Sequence, residues 1–236
     1  MDLEKYKNFT ISFEIEMETD DEYINIPKEY FTTMQPYGFQ KESKEKKIIE
    51  NKRTYAKNKV KTHLPYFYDK YNNVVNFTFD RTLTNGIEIS NKTYCNGIYE
   101  AIELITDFFE DFSKQDFWKM NLNTSIQYNI GVLNNDKWNI ERGILEIDDE
   151  YVFKDIQKER RNKYKNLLEN IDLKEDITQQ IIEKTKKYGG KAFNINIDRI
   201  IKNNYAEFRY IGGKLNMDIV KEKLFYFCHI VDIMTK

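Results

Sequence analysis

The run FTISFEIEME (9–18) alternates Ser12, Glu14, Glu16 and Glu18 with Phe13, Ile15 and Met17, the period of two expected of a half-buried strand. Side chains two apart on a strand share a face. The carboxylates therefore stand in a row, where like charges repel. The same alternation marks VVNFTFD (74–80), NGIEIS (85–90), LNTSIQYNIGVL (122–133), AFNINI (192–197) and YAEFRYI (205–211) as strands. Asn85-Gly86 is the turn dipeptide expected between the first two of these, and a polar turn is expected at 202–204.

A different period governs the rest. From Asn96, Ile98, Ile102, Ile105, Phe109 and Phe112 recur at three- and four-residue steps, the stripe of an amphipathic helix. KDIQKERRNKYKNLLENI (154–171) is predicted helical. Asp172 with Glu175 opens a capping-box-like helix that ends at Gly189-Gly190. The last helix is expected to start at the N-cap Asn216 and to pack through Met217, Val220, Leu224, Phe227, Val231 and Met234. Strands with one apolar face suit an α+β fold, a mainly antiparallel sheet with helices on one side. The reading is a single domain over 1–236, with a basic, less regular segment at about 20–73.

Composition narrows the class. The chain has 236 residues, 40% of them hydrophobic and 15% aromatic, with 37 basic against 39 acidic groups. Such a chain can bury a real core, and its near-neutral balance argues against nucleic-acid binding by the protein as a whole. Two cysteines, Cys95 and Cys228, are in no metal-ligand spacing. No signal-like or membrane-spanning run is present, so a soluble, cytoplasmic protein is expected, in a reducing compartment. Scarce Ala, Gly and Pro beside abundant Lys, Asn, Ile and Tyr fit an A/T-rich bacterial or phage genome.

Several polar groups share strand faces. Glu14 and Glu16 form either a solvated acidic face or oxygen ligands for a divalent cation such as Mg²⁺. Glu88, between Ile87 and Ile89, points away from the apolar face with Ser90. Glu207 and Arg209 lie on one face of their strand, as an ion pair or as a metal ligand beside a phosphate-binding guanidinium. Gln127, Asn129 and Ser125 share a face of theirs. His63 and His229 are the only histidines and are read as structural, which leaves no Cys–His or Ser–His nucleophile to propose.

In order along the chain, FEIEME, FTFDRTLTNGIEIS, NTSIQYNIGV, KAFNINI and YAEFRYIGGKLNMDIV resemble the amidoligase family of the glutamine-synthetase-like fold. That family has an opening E-x-E strand, a D-x-S…G-x-E segment, an H-x-H strand, a strand bearing asparagine, and an E-F-R strand that leads into a final helix. The resemblance spans residues 9–234 apart from 41–61. It implies a curved antiparallel sheet whose open face binds ATP and magnesium, and ligation of a carboxylate to an amine through an acyl phosphate. By position it implies Glu14, Glu16, Glu88 and Glu207 as metal ligands. Gln127, Asn129 and Arg209 become nucleotide contacts, with Arg209 and Asp80 in catalysis. The sequence departs from the pattern at Thr82, in place of the D-x-S serine, and at Gln127 and Asn129, in place of both histidines. The carboxylate and amine partners are expected to be small molecules or peptides.

Two rival readings follow from the same residues. One is a non-catalytic structural or interaction protein on a degenerate ligase fold, forming a homo-oligomer or part of a phage particle. The other is nucleic-acid contact through KESKEKKIIENKRTYAKNKVK (41–61), which holds nine basic and three acidic residues. Tyr55, Tyr66, Phe67 and Tyr68 are its stacking candidates.

Overall fold

The computed structural model describes residues 3–19, 42–78, 83, 86–114, 118–119, 125–153, 166–212 and 216–236. Eight strands form one sheet: β1 (Phe9–Thr19), β2 (Val75–Thr78), β3 (Gly86–Asn91), β4 (Cys95–Asn96), β5 (Trp118–Lys119), β6 (Ser125–Val132), β7 (Ile195–Asn196) and β8 (Tyr205–Gly212). The order is β2-β3-β1-β6-β8-β7, with β4 and β5 also pairing to β1. Every pairing is antiparallel. The helices are α1 (Glu42–His63), α2 (Pro65–Tyr71), α3 (Gly97–Ser113), α4 (Ile140–Leu145), α5 (Asp149–Phe153), α6 (Ile177–Tyr188), α7 (Asp198–Asn203) and α8 (Met217–Met234). The α+β architecture expected from the alternating strands is present. No described helix is long and apolar enough to cross a membrane.

One sheet face is wholly apolar. Ile11, Phe13, Ile15, Met17, Ile87, Ile89, Ile126, Tyr128, Ile130 and Phe208 are all completely buried. Helices α3 and α8 cover them. Phe13 meets Phe108 of α3 edge-on, and Phe208 stacks on Phe227 of α8 at 4.5 Å. The Tyr128 hydroxyl donates to the Val220 carbonyl at 3.2 Å, so this buried ring keeps its polar end satisfied.

The basic segment is more regular than expected. Residues 42–63 are one helix, and Leu64 leads into α2 with Pro65 in its first turn, where a missing N–H costs nothing. Ala56 and Val60 are buried. Phe67 and Tyr71 of α2 join Phe77, Phe108 and Phe112 in one aromatic cluster. The joint is fastened by Asp111 of α3, which accepts from Lys70 Nζ at 2.7 Å, the Tyr71 hydroxyl at 2.7 Å and Lys114 Nζ at 3.0 Å.

Other boundaries shift for local reasons. Helix α6 starts at Ile177, capped by Asp176 on the Gln179 N–H, rather than at Asp172. Asn216 caps α8 as expected, by accepting from the Asp218 N–H. The polar turn expected at 202–204 is the end of the short helix α7, closed by Asn204 at φ 61°. The strand expected at 192–197 is two residues long, with Ala192 ending a 3₁₀ turn before it and Ile197 standing at the N-cap of α7 after it. Of the helix expected at 154–171, residues 154–165 lie outside the described residues, as do Asn85, Asp80 and Thr82.

Strand β1 changes partner along its length, from β3 at residues 14–18 to β4 at residues 10–11. Asn91 fills the gap between them. Its Oδ1 accepts from the Phe13 N–H at 2.9 Å, and its Nδ2 donates to the Ile11 carbonyl at 3.3 Å and the Thr93 carbonyl at 2.7 Å. Gly86 serves the opposite end of β3. A Cβ there would lie 2.2 Å from the Met17 carbonyl oxygen, so only glycine allows β3 to approach β1 so closely.

Candidate functional site

The cross-strand register gathers the polar residues on the sheet face opposite α3 and α8. Glu16 stands between Glu88 of β3 and Ser125 of β6, and Glu14 between Ser90 and Gln127. Asn129 stands between Ser12 and Glu207, and Glu207 in turn faces Asn196 of β7. Residues directly opposite in a ladder share a face. Carboxylates from β1, β3 and β8 thus occupy one side of the sheet, as the alternation alone implies. Asp80 lies outside the described residues.

This face is not a row of bare charges. Glu16, Gln127, Asn196 and Glu207 are all buried, each about 95% removed from solvent, and they form a continuous hydrogen-bonded line. The Ser125 hydroxyl donates to Glu16 Oε2 in a very short contact. Gln127 Nε2 donates to Glu16 Oε1 at 3.4 Å, while its Oε1 accepts from Arg209 Nη1 at 2.6 Å. Arg209 Nη1 also donates to Glu207 Oε1 at 2.8 Å. Arg199 Nε reaches Glu207 Oε2 at 3.1 Å, and Asn196 Nδ2 lies 3.4 Å from Glu207 Oε1. A neutral amide here joins a cation to an anion, with its oxygen turned to the guanidinium and its nitrogen to the carboxylate.

The ladder explains how Arg209 reaches Gln127. Ile126 pairs with Ile211 but Tyr128 pairs with Phe208, so two residues of β8 oppose the single Gln127. Such a bulge re-aims side chains. Of the two readings of Glu207 and Arg209, the ion pair is formed.

Electrostatics separate the two central carboxylates. Burial raises the pKa of Glu14, and the neighbouring charge of Glu207 raises it further against the pull of Arg209, Lys191 and Arg199. Burial would raise Glu207 too, but the hydrogen bond and charge of Arg209, with Asn196 and Arg199, outweigh it and hold that carboxyl below its ordinary value. Glu14 accepts no hydrogen bond among the described residues. Two buried amide oxygens beside Glu207, Asn129 Oδ1 and Asn196 Oδ1, also have no partner there.

Among the described residues, no three His, Cys, Asp or Glu side chains are grouped to hold a metal ion. Glu14, Glu16, Glu88 and Glu207 therefore share a face without closing on one point. Glu16 and Glu207 already take protein donors. His63 and His229 are exposed on α1 and α8, away from this face. Both cysteines are buried and free.

Sequence reasoning missed Arg199 and gave no role to Asn196. Asn196 was legible in the N-I-N-I alternation. Arg199 was not, because it projects from α7 rather than from a strand and obeys no two-residue rule. Comparison with family models, with curated proteins and with solved structures finds no match.

Proposed function

We propose that the polar sheet face is the catalytic floor of an ATP- and magnesium-dependent ligase, which joins a carboxylate to an amine through an acyl phosphate. The observation that carries this reading is the register, which aligns Glu14, Glu16, Glu88, Gln127, Asn129, Glu207 and Arg209 on one face. The donor chemistry fits magnesium. Glu14 is a carboxylate with no hydrogen-bond donor among the described residues, and the amide oxygens of Asn129 and Asn196 on the same face are likewise without a partner there. Mg²⁺ commonly takes one or two protein carboxylates and completes its shell with water and phosphate oxygens. It therefore needs no closed cage.

On this reading Glu14 is the principal ligand, with Glu16, Glu88 and Glu207 lining the same face. Bound magnesium would neutralise charge on the phosphates. The chain's own groups do the rest. Arg209 and Arg199, held by Glu207, present fixed positive charge where a phosphoryl group gains negative charge, and such preorganised donors cost no reorganisation at the moment of reaction. Gln127 and Asn129 offer neutral amides to nucleotide or substrate. Asp80, by its place in the family-like segment, takes the proton of the attacking amine.

A second reading rests on a specific observation: Glu16 and Glu207 are already hydrogen-bonded by Ser125, Gln127, Arg209, Arg199 and Asn196. Carboxylates paired in this way also suit a non-catalytic scaffold descended from such a fold. Titration calorimetry with Mg-ATP separates the two. The ligase reading expects saturable binding that Glu14→Gln abolishes while the fold is kept. A well-folded wild type with no heat of binding leaves the scaffold.

A further inference from the structure

Two helices away from the polar floor carry exposed ridges of opposite charge. On α1, Arg53, Lys57 and Lys61 are exposed and four residues apart, a row about 12 Å long at about 1.5 Å of rise per residue. Between 53 and 63 this helix has no acidic residue. On α3, the exposed positions from 99 to 110 are Tyr99, Glu100, Glu103, Asp107 and Glu110. Their three- and four-residue steps keep the carboxylates on one side of the helix, over about 15 Å. No basic residue occurs in α3 before Lys114 at its C-cap.

The ridges do not neutralise each other within the chain. Arg53, Lys57, Lys61, Glu103 and Asp107 have no ion pair among the described residues. Both ridges are rigidly mounted. Ala56 and Val60 fix α1 to the body, and Ile98, Ala101, Ile105 and Phe108 fix α3. Helix α2 joins α3 through Phe67 on Phe108 and Tyr71 on Asp111. Lys57 and Lys61 both hold their ammonium groups over the ring of Tyr68, at 5.6 and 5.8 Å, so two of the three cations on α1 are held in place.

The occupant follows from the presence of both signs. A single strand needs open rings for its bases, and the ring beside these lysines, Tyr68, is half-buried under their ammonium groups. Helices that lie on membranes need a free apolar stripe, and Ala56 and Val60 are completely buried. Either polyanion would also leave the acidic ridge on α3 unused. A second copy of the chain uses both ridges, which match in length and oppose in sign. We propose that the α1 ridge docks on the α3 ridge of a second copy, with Arg53, Lys57 and Lys61 set among Glu100, Glu103, Asp107 and Glu110. Tyr99, 53% exposed and one turn before Glu103, adds a ring to the edge of that contact. Used reciprocally, the two contacts are those of a two-fold dimer. Complementary charge sets encounter and register more than affinity, and exposed pairs are individually weak, so the association is salt-sensitive. The proposal is independent of the ligase reading.

The test is sedimentation velocity of the full chain at about 100 µM, in about 50 mM and about 500 mM salt, between which the screening length falls from about 14 to about 4 Å. Association at low salt that is lost at high salt is expected. Lys57→Glu with Lys61→Glu, and separately Glu103→Lys with Asp107→Lys, are each expected to leave monomer, with circular dichroism melts to verify folding. Mixing the two variants is expected to restore association, because each offers the ridge that the other lacks. A chain carrying all four changes keeps the net charge of −2 and is expected to associate as the wild type does, which separates ridge pairing from bulk charge. If a reversal variant fails to fold, the milder Lys57→Gln with Lys61→Gln, expected to weaken association at least about twofold, decides together with the salt response. A wild type that is monomeric at low salt, association that survives either reversal, a mixture that stays monomeric, or tighter capture of oligo(dT) or anionic phospholipid vesicles than of a second copy would overturn the proposal.

Discussion

Asp111 offers the sharpest test of how the helical layer is held. It is buried in α3 and receives Lys70, Tyr71 and Lys114 at 2.7 to 3.0 Å. Burial alone would raise its pKa, but those three hydrogen bonds prevail and bring it from 3.8 down to about 2. A carboxyl lowered by that amount on folding is worth at most about 2.4 kcal/mol at neutral pH. Lys70 and Lys114 are 37% and 66% exposed, so solvent screening reduces this to about 1–2 kcal/mol.

The substitution Asp111→Asn keeps the size of the side chain and an acceptor for Tyr71, removes the charge, and turns the oxygen that faces Lys114 into an amide donor. Urea unfolding at pH 7 should show that loss, equivalent to a fall of about 3–6 °C in melting temperature for a chain of this length. The sign with pH follows from a depressed folded-state value. The stabilisation is complete above about pH 4 and disappears as pH falls toward 2, so the gap between variant and wild type should be about halved at pH 3. A gap that persists unchanged into acid, or none at pH 7, would refute the assignment of stability to this charged node.

Three further predictions concern the sheet. Gln127→Leu deprives Arg209 of an acceptor and Glu16 of a donor in a buried line, and should cost about 2–4 kcal/mol by chemical denaturation. Glu14→Gln relieves a carboxylate repelled by Glu207 and should stabilise by about 0.5–1 kcal/mol at pH 7. Because the Glu14 pKa is raised on folding, that gain should shrink as pH falls and wild-type Glu14 takes up its proton, which paired melts at pH 7 and pH 4 would check. Asn91→Leu leaves the Phe13 N–H and the Ile11 carbonyl without partners and should cost about 2–3 kcal/mol, with faster hydrogen exchange at the Phe13 amide.

The alternation of β1, β3, β6 and β8 made both the apolar face and the shared polar face readable from sequence, because a period of two fixes sidedness before any pairing is known. Pairing itself was not readable. The bulge opposite Gln127 depends on how β6 and β8 meet, and Asn91 acts on a strand eighty residues away. The regularity of α1 was hidden as well. Its charges obscured the small apolar stripe of Ala56 and Val60, and helices of that kind owe their stability to packing more than to local preference. Glu207 with Arg209 was legible as a pair. That Arg199 would share the carboxylate required the return of the chain through α7.

The two carboxamides on β6 also have a consequence for response to acidity. Imidazoles at those positions would gain or lose protons close to physiological pH. An amide carries no such proton, so the strip that Gln127 and Asn129 contribute stays electrically constant from mildly acid to mildly alkaline surroundings. Whatever binds above them meets the same unvarying dipoles across that interval.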